Sequence, residues 1–169
     1  AASGEVLRVP VQRLREDDAI GSLDLDDDYR IGGIGVIRVG LLGLMLPATT
    51  SVHSLSLGIT KLCGIGTYGQ GTYTTAGITK LCEGLRGSAV TSLGLFGNQL
   101  CGIRYDGVGT YTTEGITKLC EGLRGSAVTS LDLTDNQLCG LDQRGRGNYS
   151  TEGITRLCDE LKGSAVTSL

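Results

Sequence analysis

Tryptophan is absent from the sequence, phenylalanine occurs once, as Phe96, histidine once, as His53, and 169 residues carry only two prolines. An interior poor in aromatics has to be built from Leu, Ile, Val, Cys and Ala. That suits many small similar layers better than one irregular core. A lone histidine, with no C-x-x-C beside it, gives no support to a zinc site. Strong charge of either sign is missing too, the net charge being −3. Without a clustered basic field, nucleic acid is not expected as a partner, because its binding rests on Lys and Arg neutralising phosphates.

Long apolar runs are also lacking. The most apolar stretch, IGGIGVIRVGLLGLMLP (31–47), is broken by glycines and by Arg38. It falls short of the roughly 18 apolar residues that would argue for a membrane span, so membrane contact is expected to be indirect at most. The start shows no charged stretch followed by an apolar one, hence no visible signal peptide. With 40% hydrophobic and 20% charged residues, the composition is that of a folded chain rather than a disordered one.

What is present is repetition. GITKLCEGLRGSAVTSL runs over residues 77–93 and again over 115–131, and GITRLCDELKGSAVTSL runs over 153–169. Gly77, Gly115 and Gly153 lie 38 apart, as do Tyr73, Tyr111 and Tyr149. Earlier, more divergent copies of the same short strand are VHSLSL at 52–57 and IGSLDL at 20–25. The fuller units read Val-x-x-Leu-x-Leu-x-x-Asn-x-Leu at 90–100 and 128–138. Alternation over the first six positions predicts a half-buried strand. The side-chain amides of Asn98 and Asn136 are placed to satisfy backbone groups at the bend that follows. Thr60 and Asp28 hold the equivalent sites in the early copies and can do so less completely. In TTEGITKLCEGLRGSA (112–127), Ile116, Leu119, Cys120 and Leu123 fall on one helical face. Thr112 or Thr113 can cap that helix, Glu114 complements its dipole, and Gly125 suits its end.

These residues carry a resemblance. L-x-x-L-x-L-x-x-N-x-L followed by a helix resembles the leucine-rich repeat, and EGITKLCEGL…VTSLDLTDNQL is similar to the ribonuclease-inhibitor subtype. That subtype also occurs in nucleotide-binding immune receptors and nuclear-transport GTPase-activating proteins. The resemblance implies an α/β solenoid with parallel strands on a concave face and helices on a convex one. Its units lie near 20–51, 52–89, 90–127 and 128–165, followed by a truncated strand at 166–169; residues 1–19 are expected to form an N-terminal capping helix. The sequence departs from the family in its longer repeat and in the aliphatic, glycine-rich segment 31–50. Because the last residue falls in mid-strand without a closing cap, the chain reads as part of a longer protein.

Six cysteines, at 63, 82, 101, 120, 139 and 158, follow one another every 19 residues. A metal or disulfide framework would give such spacing, but the repeat itself accounts for it. Cys63, Cys101 and Cys139 follow the turn leucine, whereas Cys82, Cys120 and Cys158 lie on the apolar helix face. All six are read as structural thiols, which places the protein in a reducing compartment, cytoplasmic or organellar.

Motifs with chemical content are weak. GIGTYG (64–69) fits G-x-G-x-x-G, but it lies in a repeat insertion and reads as a flexible loop. DLDDDYRIGGIG (24–35) has carboxylates at EF-hand spacing without the later Gly and Glu, so it reads as an acidic end of the concave surface. His53 has no identifiable nucleophile or acid partner, and RGRG (144–147) is a solvated loop. No catalytic residue and no cofactor are expected.

Binding is the function that remains. Outward positions of the concave strands include Asp24, Asp26, His53, Ser56, Phe96, Asp132 and Thr134. Phe96 is either an exposed anchor or packing over the sheet edge. A second surface is the stack of long loops, offering Tyr68, Arg104, Tyr105, Arg144 and Arg146. A third is the aliphatic segment 36–46, which needs a cover if its outer face is apolar. The reading is a non-catalytic protein-binding or scaffolding module, perceived as a subunit or fragment of a larger assembly, with another protein or multi-subunit complex as partner. The alternative is a regulatory fragment of an immune-receptor-like sensor or a GTPase-activating protein.

Overall fold

A computed structural model describes residues 21–25, 35–66, 68 and 70–169. The expected capping helix at 1–19, Asp26, Asp28 and most of the acidic motif lie outside the described residues.

The fold is mixed α/β. Strands β1 (Ser22–Asp24), β2 (Ser54–Ser56), β3 (Ser92–Gly94) and β4 (Ser130–Asp132) form an open, four-stranded parallel sheet in sequence order. Parallel neighbours need a crossover. Helices α1 (Gly35–Met45), α2 (Ala76–Leu85) and α3 (Glu114–Leu123) provide one between each pair, and α4 (Glu152–Glu160) follows β4. The register steps by whole units: Leu23, Leu55, Leu93 and Leu131 stand side by side. All four are buried between small or polar neighbours that are more exposed, as period-two alternation requires. At the end, Ser168 bridges Ser130 in parallel, continuing the same register.

The sheet leucines join Ile78, Leu81, Leu85, Ile116, Leu119 and Leu123 from the helices in one continuous core. Each fully buried Leu or Ile contributes about 1.5–3 kcal/mol of transfer free energy, so no large aromatic is needed. In α4 the same positions are less covered: Leu157 is buried, while Ile154 is 39% exposed. Cys158 is exposed as well, a correction to the reading of all six thiols as packing. On α1, Leu41 and Leu44 are exposed while Val39 and Leu42 are buried, leaving an apolar outer patch.

Helix spacing is set by a glycine. A Cβ on Gly122 would lie 2.1 Å from the Cβ and 2.2 Å from the Sγ of Cys82, so α2 and α3 approach through a notch. At the equivalent place in α4 stands Glu160, which pairs with Arg124 instead.

Helix capping differs from the local expectation. Thr113 makes no side-chain cap bond, and Thr112 Oγ1 accepts only the Glu114 amide, at 3.2 Å. The deeper amide, Gly115 N–H, donates to the hydroxyl of Tyr73 from the preceding unit at 3.0 Å. Tyr73 in turn donates to Leu100 O at 2.9 Å. Tyr111 repeats the arrangement, accepting from Gly153 N–H at 2.8 Å and donating to Leu138 O at 2.7 Å. One hydroxyl thus fills an orphan helix donor and a loop acceptor across a unit boundary. Gly125, at φ +80°, takes the left-handed position just past α3.

Candidate functional site

After β2, β3 and β4 the chain turns a corner around Thr60, Asn98 and Asn136 respectively, all buried. The residues on either side take left-handed backbone: Ile59 and Lys61 (φ 57° and 56°), Gly97 and Gln99 (65° and 54°), Asp135 and Gln137 (57° and 49°). Such a bend strands backbone groups in the interior, and the amides collect them. Asn98 Nδ2 donates to Leu57 O at 2.7 Å, and its Oδ1 accepts Leu62 N–H at 3.0 Å. Asn136 does the same one unit on, reaching Leu95 O at 2.8 Å and accepting Leu100 N–H at 3.3 Å. Thr60 Oγ1 lies 2.9 Å from Leu57 O but has no second arm to reach further back.

The long loops that follow are closed rather than irregular. Antiparallel bridges join Ile65 to Gly71, Ile103 to Gly109 and Leu141 to Gly147. In the last loop Asp142 is buried. Its Oδ1 accepts the amides of Arg146 (2.7 Å) and Arg144 (2.9 Å), and its Oδ2 accepts Arg146 Nε at 2.6 Å. Burial pushes this carboxyl up, but the Arg146 amide and guanidinium and the Arg144 amide outweigh it and hold it below its ordinary value. Arg104 pairs likewise with Asp106 inside its own loop. Arg104 and Arg146 are therefore engaged locally, while Arg144 keeps an exposed side chain.

Corners and loops enclose a groove of about 360 Å³ lined by Ile59, Tyr68, Phe96, Gly97, Gln99, Tyr105 and Asp135. Phe96 is half-buried. Its ring lies over Gly58, where a Cβ would come within 1.9 Å of Cε1, yet it still forms part of the groove lining. Tyr68 and Tyr105 stand 61% and 47% exposed. Tyr105 is held from the next unit: its hydroxyl donates to Gln143 Oε1 at 2.7 Å, and Gln143 Nε2 donates to Asp135 Oδ2 at 3.1 Å.

Phe96, Tyr68 and Tyr105, expected on two separate surfaces, thus come together. Asp24, His53, Ser56, Asp132 and Thr134 stay on the sheet side and do not line the groove. His53 Nδ1 lies 2.8 Å from Ser51 O. Asp132 Oδ1 accepts the amide of Thr134 at 2.8 Å. Ile59, Gln99, Asp135 and Gln143 were not anticipated as site residues. Their signal is positional, since Ile59, Gly97 and Asp135 occupy one place in successive units.

Among the described residues no group of three or more His, Cys, Asp and Glu could hold a metal ion, and the six cysteines are free. Burial pushes the Cys82, Cys101 and Cys120 thiols up to about 12, and Cys63 higher still. Protonated thiols of this kind are poor nucleophiles and poor metal ligands. Among the described residues no helix is long and apolar enough to cross a membrane. In comparison with known proteins, no family model matches the chain and no curated protein matches it.

Proposed function

We propose that the chain is a leucine-rich-repeat solenoid of the ribonuclease-inhibitor kind and acts as a non-catalytic module that binds another protein. The single observation that carries this reading is the groove assembled from three successive units: Ile59 and Tyr68, then Phe96, Gln99 and Tyr105, then Asp135. It exists only when the units stack in register. Its aromatic lining is of the type enriched at the buried centre of protein interfaces. The surrounding sheet residues, such as Ser92, Ser130 and Thr134, are small and polar, which suits the rim of such a contact. Fixing Tyr105 through Gln143 lowers the ordering cost that a partner would otherwise meet.

The test is a photo-crosslinking amino acid placed at position 105, with a second at the exposed Thr79 of α2 as control. In gently lysed source cells, position 105 should capture one protein in stoichiometric yield, and Phe96→Ala should remove the capture. Equal labelling from both positions would sink the reading.

A further inference from the structure

We infer that the groove receives an arginine side chain presented by the partner; this rests on the reading of the groove as the contact surface. Three of the described lining residues are aromatic, Tyr68, Phe96 and Tyr105, and the one charged residue among them is Asp135. Aromatic rings attract cations through their quadrupole, and a carboxylate beside them selects the same sign. An apolar side chain would leave the carboxylate desolvated without a counter-charge. An acidic one would meet it as a like charge.

Two of the three loop arginines are engaged elsewhere, and the side chain of Arg144 is exposed to solvent. Arg104 is paired with Asp106 and Arg146 with Asp142. Lys61 turns along its own loop, its Cε within 2.7 Å of where a Cβ on Gly66 would lie. Asp135 Oδ2 accepts one neutral donor, Gln143 Nε2, which orients the carboxylate without neutralising it. Between arginine and lysine the lining favours arginine. A guanidinium is planar, stacks on aromatic rings and is less strongly hydrated than an ammonium.

The experiment uses the full chain and three blocked tripeptides: acetyl-Gly-Arg-Gly-amide, its lysine analogue, and its citrulline counterpart, which has nearly the shape of the arginine peptide without the charge. Backbone amide shifts are followed by NMR during titration. The arginine peptide should bind roughly threefold to thirtyfold more tightly, with shifts centred on Ile59, Tyr68, Phe96, Tyr105 and Asp135. Asp135→Asn removes the charge and keeps one acceptor oxygen for Gln143; since Asn tolerates the left-handed backbone found there, it should bring the arginine and citrulline peptides level. The lysine peptide should bind more weakly than arginine. Equal binding of arginine and citrulline, a preference that survives Asp135→Asn, shifts elsewhere on the chain, or no shifts at all would each overturn the inference. Lysine binding as tightly as arginine would overturn the choice of guanidinium. Capture from position 105 tests the groove as an interface regardless of charge, so that reading can stand while this one fails.

Discussion

Asn136 accepts the backbone N–H of Asn98 on its side-chain Oδ1 at 3.0 Å, so one corner asparagine anchors the next across a unit boundary. Asn98 is fully buried and Asn136 is 1% exposed. Removing either amide therefore strands several backbone groups away from water. Each stranded group costs about 1–3 kcal/mol. Asn98→Ala should destabilise the chain by about 3 kcal/mol or more in urea melts. Asn98→Thr, which copies Thr60 one unit earlier, should cost distinctly less. Equal losses would mean that a hydroxyl recovers none of what the amide supplies.

The tyrosine hydroxyls supply an internal control. Tyr111→Phe deletes the acceptor for Gly153 N–H and the donor to Leu138 O, with an expected cost of about 1–3 kcal/mol. Tyr149 occupies the same place in its unit but is 68% exposed. Tyr149→Phe should stay within about 0.5 kcal/mol of the parent, as read from the same thermal or urea transitions.

Thiol chemistry should divide sharply. Under native conditions iodoacetamide is expected to modify exposed Cys158 first and to leave Cys63, Cys82, Cys101 and Cys120 intact, as peptide mass mapping would show. Burial raises Cys82, Cys101 and Cys120 from an ordinary 9.0 to about 12. Unfolded thiols lose protons above pH 9 while the folded ones keep theirs, so the unfolded state binds fewer protons there. Stability is then complete below pH 9 and falls between 9 and 12, by at most about 1.4 kcal/mol per pH unit for each thiol. Cys120→Ala should make that fall shallower.

Gly122 tests the helix notch. On an exposed helix, Gly→Ala stabilises by about 1 kcal/mol. Here the added methyl would enter the space of Cys82, and the sign should reverse to a loss of about 1–3 kcal/mol. Circular-dichroism melts of Gly122→Ala decide between the two.

The α/β architecture was legible because period and alternation act locally. Leu55, Leu93 and Leu131 announce their strands, and Ile116, Leu119 and Leu123 their helix, without reference to anything distant. Capping was less legible. Local pattern pointed to Thr112 and Thr113, but the Gly115 amide is filled by a tyrosine 42 residues earlier, a separation that no helix-start signal encodes. The groove was half legible. Its aromatics stood out by rarity, yet Ile59 carries no turn signal, because a β-branched residue is a poor candidate for left-handed backbone. Asp135 carries no signal of its own in the sequence, because only the folded corner sets it in one groove with Tyr105 of the preceding unit.

The seat of Phe96 on Gly58 has a consequence for assembly. Units that share seventeen identical residues invite exchange between molecules, in which one unit takes a neighbour's place. Leucine pairing cannot reject such an exchange, since every described strand offers a leucine at the same register. Phe96 can. The place that Gly58 leaves open beneath its ring is held in the next two units by Phe96 itself and by Thr134, both of which carry a Cβ. The ring and its glycine act as a key and its slot, marking which unit follows which in an otherwise interchangeable stack.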